Sequence, residues 1–110
     1  MTLKELSVLY NLGKEIEMDK KRLEELETQH GTKKQKERVR EIIQRKYNAL
    51  WEERERLERW IADIPDSVTR QIFTQRFVNG KTWVQVAMDI GGGNTGNGVM
   101  QAAKRYAKKN

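Results

Sequence analysis

Six residues near the end of the chain, Gly91-Gly92-Gly93-Asn94-Thr95-Gly96, satisfy the spacing G-x-G-x-x-G of loops that cradle dinucleotide phosphates. That chemistry needs a strand before the glycines, a helix and a parallel strand after them, and an acidic residue about 20 positions further on. Here the preceding segment has the pattern of an amphipathic helix, and 14 residues follow Gly96. We therefore expect no nucleotide site, and the glycines predict a turn between two helices.

Catalytic and metal-binding groups are scarce. The chain has no cysteine and one histidine, His30, which by itself cannot form a zinc cluster. Two isolated serines, Ser7 and Ser67, have no neighbouring base that would activate a nucleophile. The carboxylates of the first half of the chain are interleaved with Lys and Arg, as on a solvated helix face. We therefore expect no enzyme, no metal and no cofactor.

Polar and basic side chains near the end of the chain indicate a different chemistry. Residues 64–110 contain seven Lys and Arg but only two acidic residues, whereas residues 1–63 are nearly balanced in charge. At helical spacing, one side of the last segment is apolar and the other is polar. The apolar side consists of Val99, Ala102, Ala103 and Tyr106, and the polar side of Asn97, Gln101, Lys104, Arg105 and Lys108. Amides suit base edges and cations suit phosphates, so this side predicts contact with DNA; an ordinary solvated basic helix is the alternative.

Short helices must position that polar side. Asp66, after Pro65, is predicted to cap a helix, and Thr82 with Gln85 forms a capping box at the start of another. Ala87 is small enough for a close helix crossing, as in a helix-turn-helix. The buried faces are predicted from the spacing of Val68, Ile72, Phe73 and Phe77 in the first helix, and of Trp83, Val86, Ala87 and Ile90 in the second.

Apolar residues at heptad spacing over 9–30 and 39–64 predict two long helices. The seams are interrupted by polar residues, namely Asp19, Lys46 and Glu53. Because the connection between the helices is short, we expect an antiparallel hairpin. A hairpin buries little surface alone, so it needs a partner: a second copy that closes a four-helix bundle, giving a homodimer, or its own C-terminal domain.

Both helix starts in this hairpin carry a local signal. Thr2 with Glu5, and Thr32 with Gln35, have the spacing of capping boxes, while Gly31 suits the end of the first helix. We find no charged-then-apolar leader and no apolar run approaching the ~18 residues that span a bilayer, so we expect a cytoplasmic location and no membrane partner. The predicted fold is all-α: a long antiparallel helical hairpin over residues 1–63 and a small helix-turn-helix domain over residues 64–110.

The segment from Ile64 to Tyr106, IPDSVTRQIFTQRFVNGKTWVQVAMDIGGGNTGNGVMQAAKRY, resembles the C-terminal helix-turn-helix domain of sigma factors, region 4. It resembles in particular the sigma-like regulators of phages and prophages of the ArpU and RinA kind. The features that carry the resemblance are IPD before a helix, RQIFTQRFVNGKTW, VA followed by glycine, and a terminal KRY. It implies a recognition helix at about 97–108 in the major groove and phosphate contact by Thr82 and Gln85.

The turn departs from that family because it is about two residues longer than in a standard helix-turn-helix. Gly96 and Gly98 lie where the recognition helix should start, and glycine costs ~1 kcal/mol per interior helical site relative to alanine. We therefore expect the first turn of this helix to become ordered only on DNA.

The polar side of the last helix and this resemblance together predict a sequence-specific regulator of transcription that binds double-stranded DNA in a bacterial cytoplasm. The resemblance implies a phage or prophage origin, and RNA polymerase is an additional candidate partner. The candidate DNA-binding residues are Thr82, Gln85, Asn94, Thr95, Asn97, Gln101, Lys104, Arg105 and Lys108. Two alternatives remain open at this point. One is a phage DNA-packaging protein, a small terminase subunit, and the other is a coiled-coil interaction protein that binds RNA polymerase and has an incidental basic tail.

Overall fold

A computed structural model describes the backbone of residues 1–109 and the side chains of residues 1–108. The secondary structure in this range is entirely helical, which confirms the all-α class. The elements are α1 (Leu3–Thr28), α2 (Lys33–Ala62), α3 (Ser67–Phe73) with a π-helical continuation (Thr74–Val78), α4 (Trp83–Ile90) and α5 (Gly96–Lys109). No described helix contains a segment of the length and hydropathy needed to cross a membrane.

Ion pairs between α1 and α2 define their relative direction. The pairs are Glu5–Arg56 at 3.0 Å, Asp19–Lys46 at 2.6 Å and Glu27–Arg40 at 3.1 Å. The α2 partner number falls as the α1 number rises, so the two helices lie antiparallel.

The ends of α1 differ in detail from the sequence predictions. Thr2 caps the helix by accepting a hydrogen bond from the Glu5 amide at 3.1 Å, but the Glu5 carboxylate pairs with Arg56 and does not complete a capping box. At the other end, His30 and not Gly31 adopts the left-handed conformation, with φ of 57°. Gly31 serves the turn through close packing, because a Cβ there would lie 2.8 Å from Leu26 Cδ2.

Two of the three polar seam positions face each other. The Lys46 ammonium donates a hydrogen bond to Asp19, and the side chains are only 28% and 18% exposed. This hydrogen bond raises the pKa of Lys46 above its ordinary value. The third position, Glu53, pairs with Arg56 on its own helix at 3.2 Å. The interruptions at Asp19 and Lys46 are therefore the two halves of one interhelical ion pair.

The hydrophobic core extends across the predicted domain boundary. Its members come from α1, α2, the segment after α2 and every C-terminal helix: Leu6, Leu9, Leu57, Ile61, Ile64, Ile72, Phe73, Phe77, Val86, Ala87, Val99, Ala103 and Ala107. Trp60 packs edge-on against Phe73 at 5.0 Å and against Tyr106 at 5.8 Å, between ring centroids. One end of the α1–α2 pair thus packs on the C-terminal helices of its own chain. The sequence had left open whether the hairpin packs on a second copy or on its own C-terminal domain.

The helix after Pro65 begins as predicted, but its buried face is narrower. Asp66 accepts a hydrogen bond from the Thr69 amide at 2.9 Å and caps α3. Val68, predicted to lie in the core, is 47% exposed, whereas Phe73 is fully buried. At about 100° per residue, Val68 lies ~140° around the helix axis from Phe73, beyond the buried Ile72, so it falls at the edge of the buried face.

The seam ion pair yields a stability prediction. Replacing Asp19 with asparagine should lower the midpoint of urea denaturation, because it leaves a partly buried Lys46 without its charged partner. Because folding raises the pKa of Lys46, the charged form of Lys46 stabilises the folded protein. This contribution is fully present below the unfolded-state pKa of about 10.4 and is lost as the pH rises through the folded-state pKa. That alkaline loss should be present in the parent and absent in the variant.

The matched control is Glu27→Gln, which neutralises an acid on the same helix in a more exposed pair with Arg40. It should change the free energy of unfolding by less than about 0.5 kcal/mol. Equal midpoints for Asp19→Asn and Glu27→Gln would contradict a special role for the seam pair.

Candidate nucleic-acid interface

The polar side chains of α5 form one exposed arc. At about 100° per residue, the five predicted positions fall within ~100° around the helix axis. All five are exposed: Asn97, Gln101, Lys104, Arg105 and Lys108. On the opposite side, Val99, Ala103 and Ala107 are buried in the core. Packing of this apolar side therefore directs the amide and basic side chains outward.

Acidic residues are absent from the sequence after Asp89, so nothing on α5 offsets its positive charge. Asp89 itself pairs with Lys81 at 2.6 Å, beside the start of α4. The arc is therefore a surface suited to an anionic partner. Among the side chains of residues 1–108, no group of three or more His, Cys, Asp or Glu could hold a metal ion.

At the start of α4, the predicted capping box is complete. The Gln85 backbone N–H donates to Thr82 Oγ1 at 3.1 Å, and the Thr82 backbone N–H donates to Gln85 Oε1 at 2.9 Å. Both side chains are exposed. The acceptor atoms are used in the cap, and the Thr82 hydroxyl proton and the Gln85 side-chain NH₂ stay available as donors toward solvent.

The glycine run makes a left-handed turn between α4 and α5. Gly91, Gly92 and Gly93 have φ of 73°, 67° and 76°, a region that side-chain-bearing residues rarely adopt. The Asn94 side-chain amide donates to the Gly91 carbonyl at 2.7 Å. Asn94, a predicted DNA-binding residue, is exposed but already uses one amide donor to close this turn.

α5 starts at Gly96, one residue before the predicted range of about 97–108. Thr95 Oγ1 accepts from the Gly98 amide at 3.0 Å and the Thr95 carbonyl accepts from Val99 at 3.0 Å, so the helix begins at Gly96. This differs from our expectation that its first turn is ordered only on DNA. The Thr95 hydroxyl provides the local reason, because it caps the helix by accepting the Gly98 backbone N–H, which the side-chain-free glycines cannot do.

Close packing at Gly96 brings the starts of α4 and α5 together. A Cβ at this position would lie 3.1 Å from both the backbone nitrogen and Cγ2 of Val84. Absence of a side chain thus allows the first turn of α5 to rest on the first turn of α4. As a result Thr82 and Gln85 lie at the same end of this helix pair as Thr95 and Asn97.

Sequence reasoning missed Arg76, in the π-helical segment. Its guanidinium lies 3.6 Å from the Tyr10 ring centroid and 4.6 Å from that of Trp83, and it donates to the Lys81 carbonyl at 3.1 Å. Burial lowers the pKa of Arg76 by penalising the charged form, although interaction with Tyr10 opposes this. No carboxylate pairs with it among the described side chains. Nothing in the sequence associates Arg76 with Tyr10, because they are joined only by the packing of α1.

Gly96 gives a prediction whose sign separates packing from helix propensity. Gly96→Ala should lower the thermal midpoint, even though alanine has the higher helix propensity, because its Cβ would push α5 away from Val84. Thermal denaturation followed by circular dichroism measures this effect.

Gly13→Ala is the control, since Gly13 lies within α1 and a Cβ there meets nothing within 4 Å. It should raise the thermal midpoint, because it should increase the free energy of unfolding by up to ~1 kcal/mol. Stabilisation by both substitutions would show that contact between the starts of α4 and α5 does not depend on Gly96.

Comparisons of this chain with protein-family models, with curated proteins and with solved structures found no match.

Proposed function

We propose that the chain is a sequence-specific regulator of transcription, of phage or prophage origin, that binds double-stranded DNA. In this proposal α4, the glycine turn and α5 form a helix-turn-helix, and residues 97–108 of α5 enter the major groove. The observation that carries the proposal is the exposed arc of amide and basic side chains, opposite the buried side of α5. A major groove about 12 Å wide admits one α-helix.

Side-chain chemistry divides the arc into two parts. Asn97 and Gln101 are near the start of α5 and carry amides that hydrogen bond base edges in a bidentate manner. Lys104, Arg105 and Lys108 follow and suit the phosphates at the groove edges. At the start of α4, the donors of Thr82 and Gln85 face the same end of the helix pair as Thr95 and Asn97, which supports their proposed contact with a flanking phosphate.

For α1 and α2 we propose association into a homodimer through residues 1–63, with contact to RNA polymerase as a further role. Exposed large apolar side chains support an association surface. Trp51 on α2 is 62% exposed and Met18 on α1 is 69% exposed. Dimerisation would place two recognition helices on one DNA duplex, as in other dimeric helix-turn-helix proteins.

A charge reversal tests the DNA face. Lys104→Glu with Arg105→Glu should abolish binding to DNA fragments from the source genome, because it places two carboxylates against phosphates. Helix content should be unchanged, since both side chains are exposed. Mobility shift or fluorescence anisotropy measures binding, and the affinity of the parent should fall steeply with salt, with a slope of about −0.9 per phosphate contact.

Lys33→Glu with Lys34→Glu is the matched control, with the same change in net charge at exposed positions on the first turn of α2. This variant should retain most of the binding. Comparable loss in both double variants would mean that net charge, and not the α5 face, determines binding.

Trp51→Glu tests the association proposal. The parent should have the mass of a dimer in sedimentation equilibrium and the variant that of a monomer, because a carboxylate would be buried in an apolar contact. Val68→Glu, at an apolar position of α3 that is 47% exposed, is the control and should leave the mass unchanged. A large ring would favour the packaging protein, and a monomeric parent would contradict association.

A further inference from the structure

A pocket of about 220 Å³ lies where α1 meets the C-terminal helices. Its polar lining comes from three elements: Ser7 and Asn11 of α1, Arg76 of the π-helical segment and Lys104 of α5. Phe77 and Trp83 contribute aromatic surface. None of the described side chains that line it is acidic. The pocket therefore combines two cations with a hydroxyl and an amide.

Contacts with two rings and one carbonyl fix the orientation of the Arg76 guanidinium. The guanidinium packs over the Tyr10 and Trp83 rings, and one NH₂ group donates to the Lys81 carbonyl. Stacking restricts the side chain, so binding an anion loses little further conformational freedom. Within residues 1–108 neither Arg76 nor Lys104 is in an ion pair. Neither charge is thus neutralised by a carboxylate among the described side chains.

Ser7 and Asn11 lie four residues apart on α1, and both are exposed. Residues at this spacing share a face of a helix, so the hydroxyl and the amide point to the same region. The position of this face is fixed by the core, because Leu6 and Leu9 of the same helix are buried there. Ser7 and Asn11 are hydrogen-bond donors that suit phosphate oxygens.

Lys104 connects this pocket to the α5 arc, since it belongs to both. A helix in the major groove lies between two rows of phosphates, and the pocket is at the side of α5 that meets α1. We propose that this pocket binds one phosphodiester group of the DNA backbone, held by Arg76 and Lys104 with Ser7 and Asn11 as additional donors. This inference rests on the proposed function and makes α1 part of the DNA interface.

Asn11→Asp tests the inference, because it places a carboxylate in the pocket at an exposed position where the fold should tolerate it. We expect a loss of DNA affinity of roughly tenfold, the size of one lost charge-assisted hydrogen bond, and a shallower salt dependence by about 0.9 in the slope. Asn11→Lys should have the opposite effect and tighten binding. Fluorescence anisotropy with a labelled duplex over a series of salt concentrations measures both.

Asn48→Asp is the matched control: the same substitution at an exposed position of α2, outside the pocket. It should bind DNA as the parent does. Equal affinities of Asn11→Asp and Asn48→Asp, with a parent that binds DNA, would overturn this inference and leave the proposed function intact. A parent that binds no DNA would overturn both.

Free phosphate is the other source of the same chemistry. Titration of the parent protein with inorganic phosphate, followed by isothermal titration calorimetry, should give no saturable binding in the millimolar range. Saturable binding that is lost in Asn11→Asp, together with unchanged DNA affinity, would overturn the assignment to the DNA backbone.

Discussion

Trp60, near the end of α2, packs edge-on against Phe73 and Tyr106, and this aromatic contact is the one on which the other placements depend. Large aromatic side chains bury roughly 150–250 Å² each, and here the partly buried Trp60 and Tyr106 pack against the core through the fully buried Phe73. It joins two parts that composition separates: a charged pair of long helices with a narrow apolar seam, and a group of short helices with a net positive charge. Once Tyr106 is held against Trp60, the opposite side of α5 must face solvent.

The same packing also places α1 against Arg76. Leu6 and Leu9 are buried in the shared core, and the adjacent Tyr10 lies under the guanidinium of Arg76. An arginine between aromatic rings and without an acidic partner keeps its charge while its orientation is fixed. The junction between the long and short helices is therefore both a hydrophobic contact and a source of positive potential next to α5. In the function proposed here, the hairpin and the DNA interface are not independent modules.

Glycine performs two separate tasks in the segment before α5. At Gly91, Gly92 and Gly93 it permits a left-handed backbone, which reverses the chain between two helices. At Gly96 it permits close contact between two helix starts, because a Cβ there would lie only 3.1 Å from Val84. These two tasks account for Gly91, Gly92, Gly93 and Gly96, and the G-x-G-x-x-G spacing follows a helix here and not a strand. The turn is longer than in a standard helix-turn-helix, but α5 still packs against α4. Thr95 caps α5 immediately after the turn.

The sequence by itself determined the helices, most of their starts and which side of each is apolar. Capping at Thr32, Asp66 and Thr82 was predictable because each cap joins residues three apart in the chain, and the exposed arc of α5 was predictable from helical spacing. Only the tertiary structure decided which helix each face meets. It paired Asp19 with Lys46, turned Glu5 toward Arg56, left Val68 exposed and assembled the pocket of Ser7, Asn11, Arg76 and Lys104. Periodicity reports that a face is apolar but not what covers it, because contacts between distant segments depend on how whole helices pack.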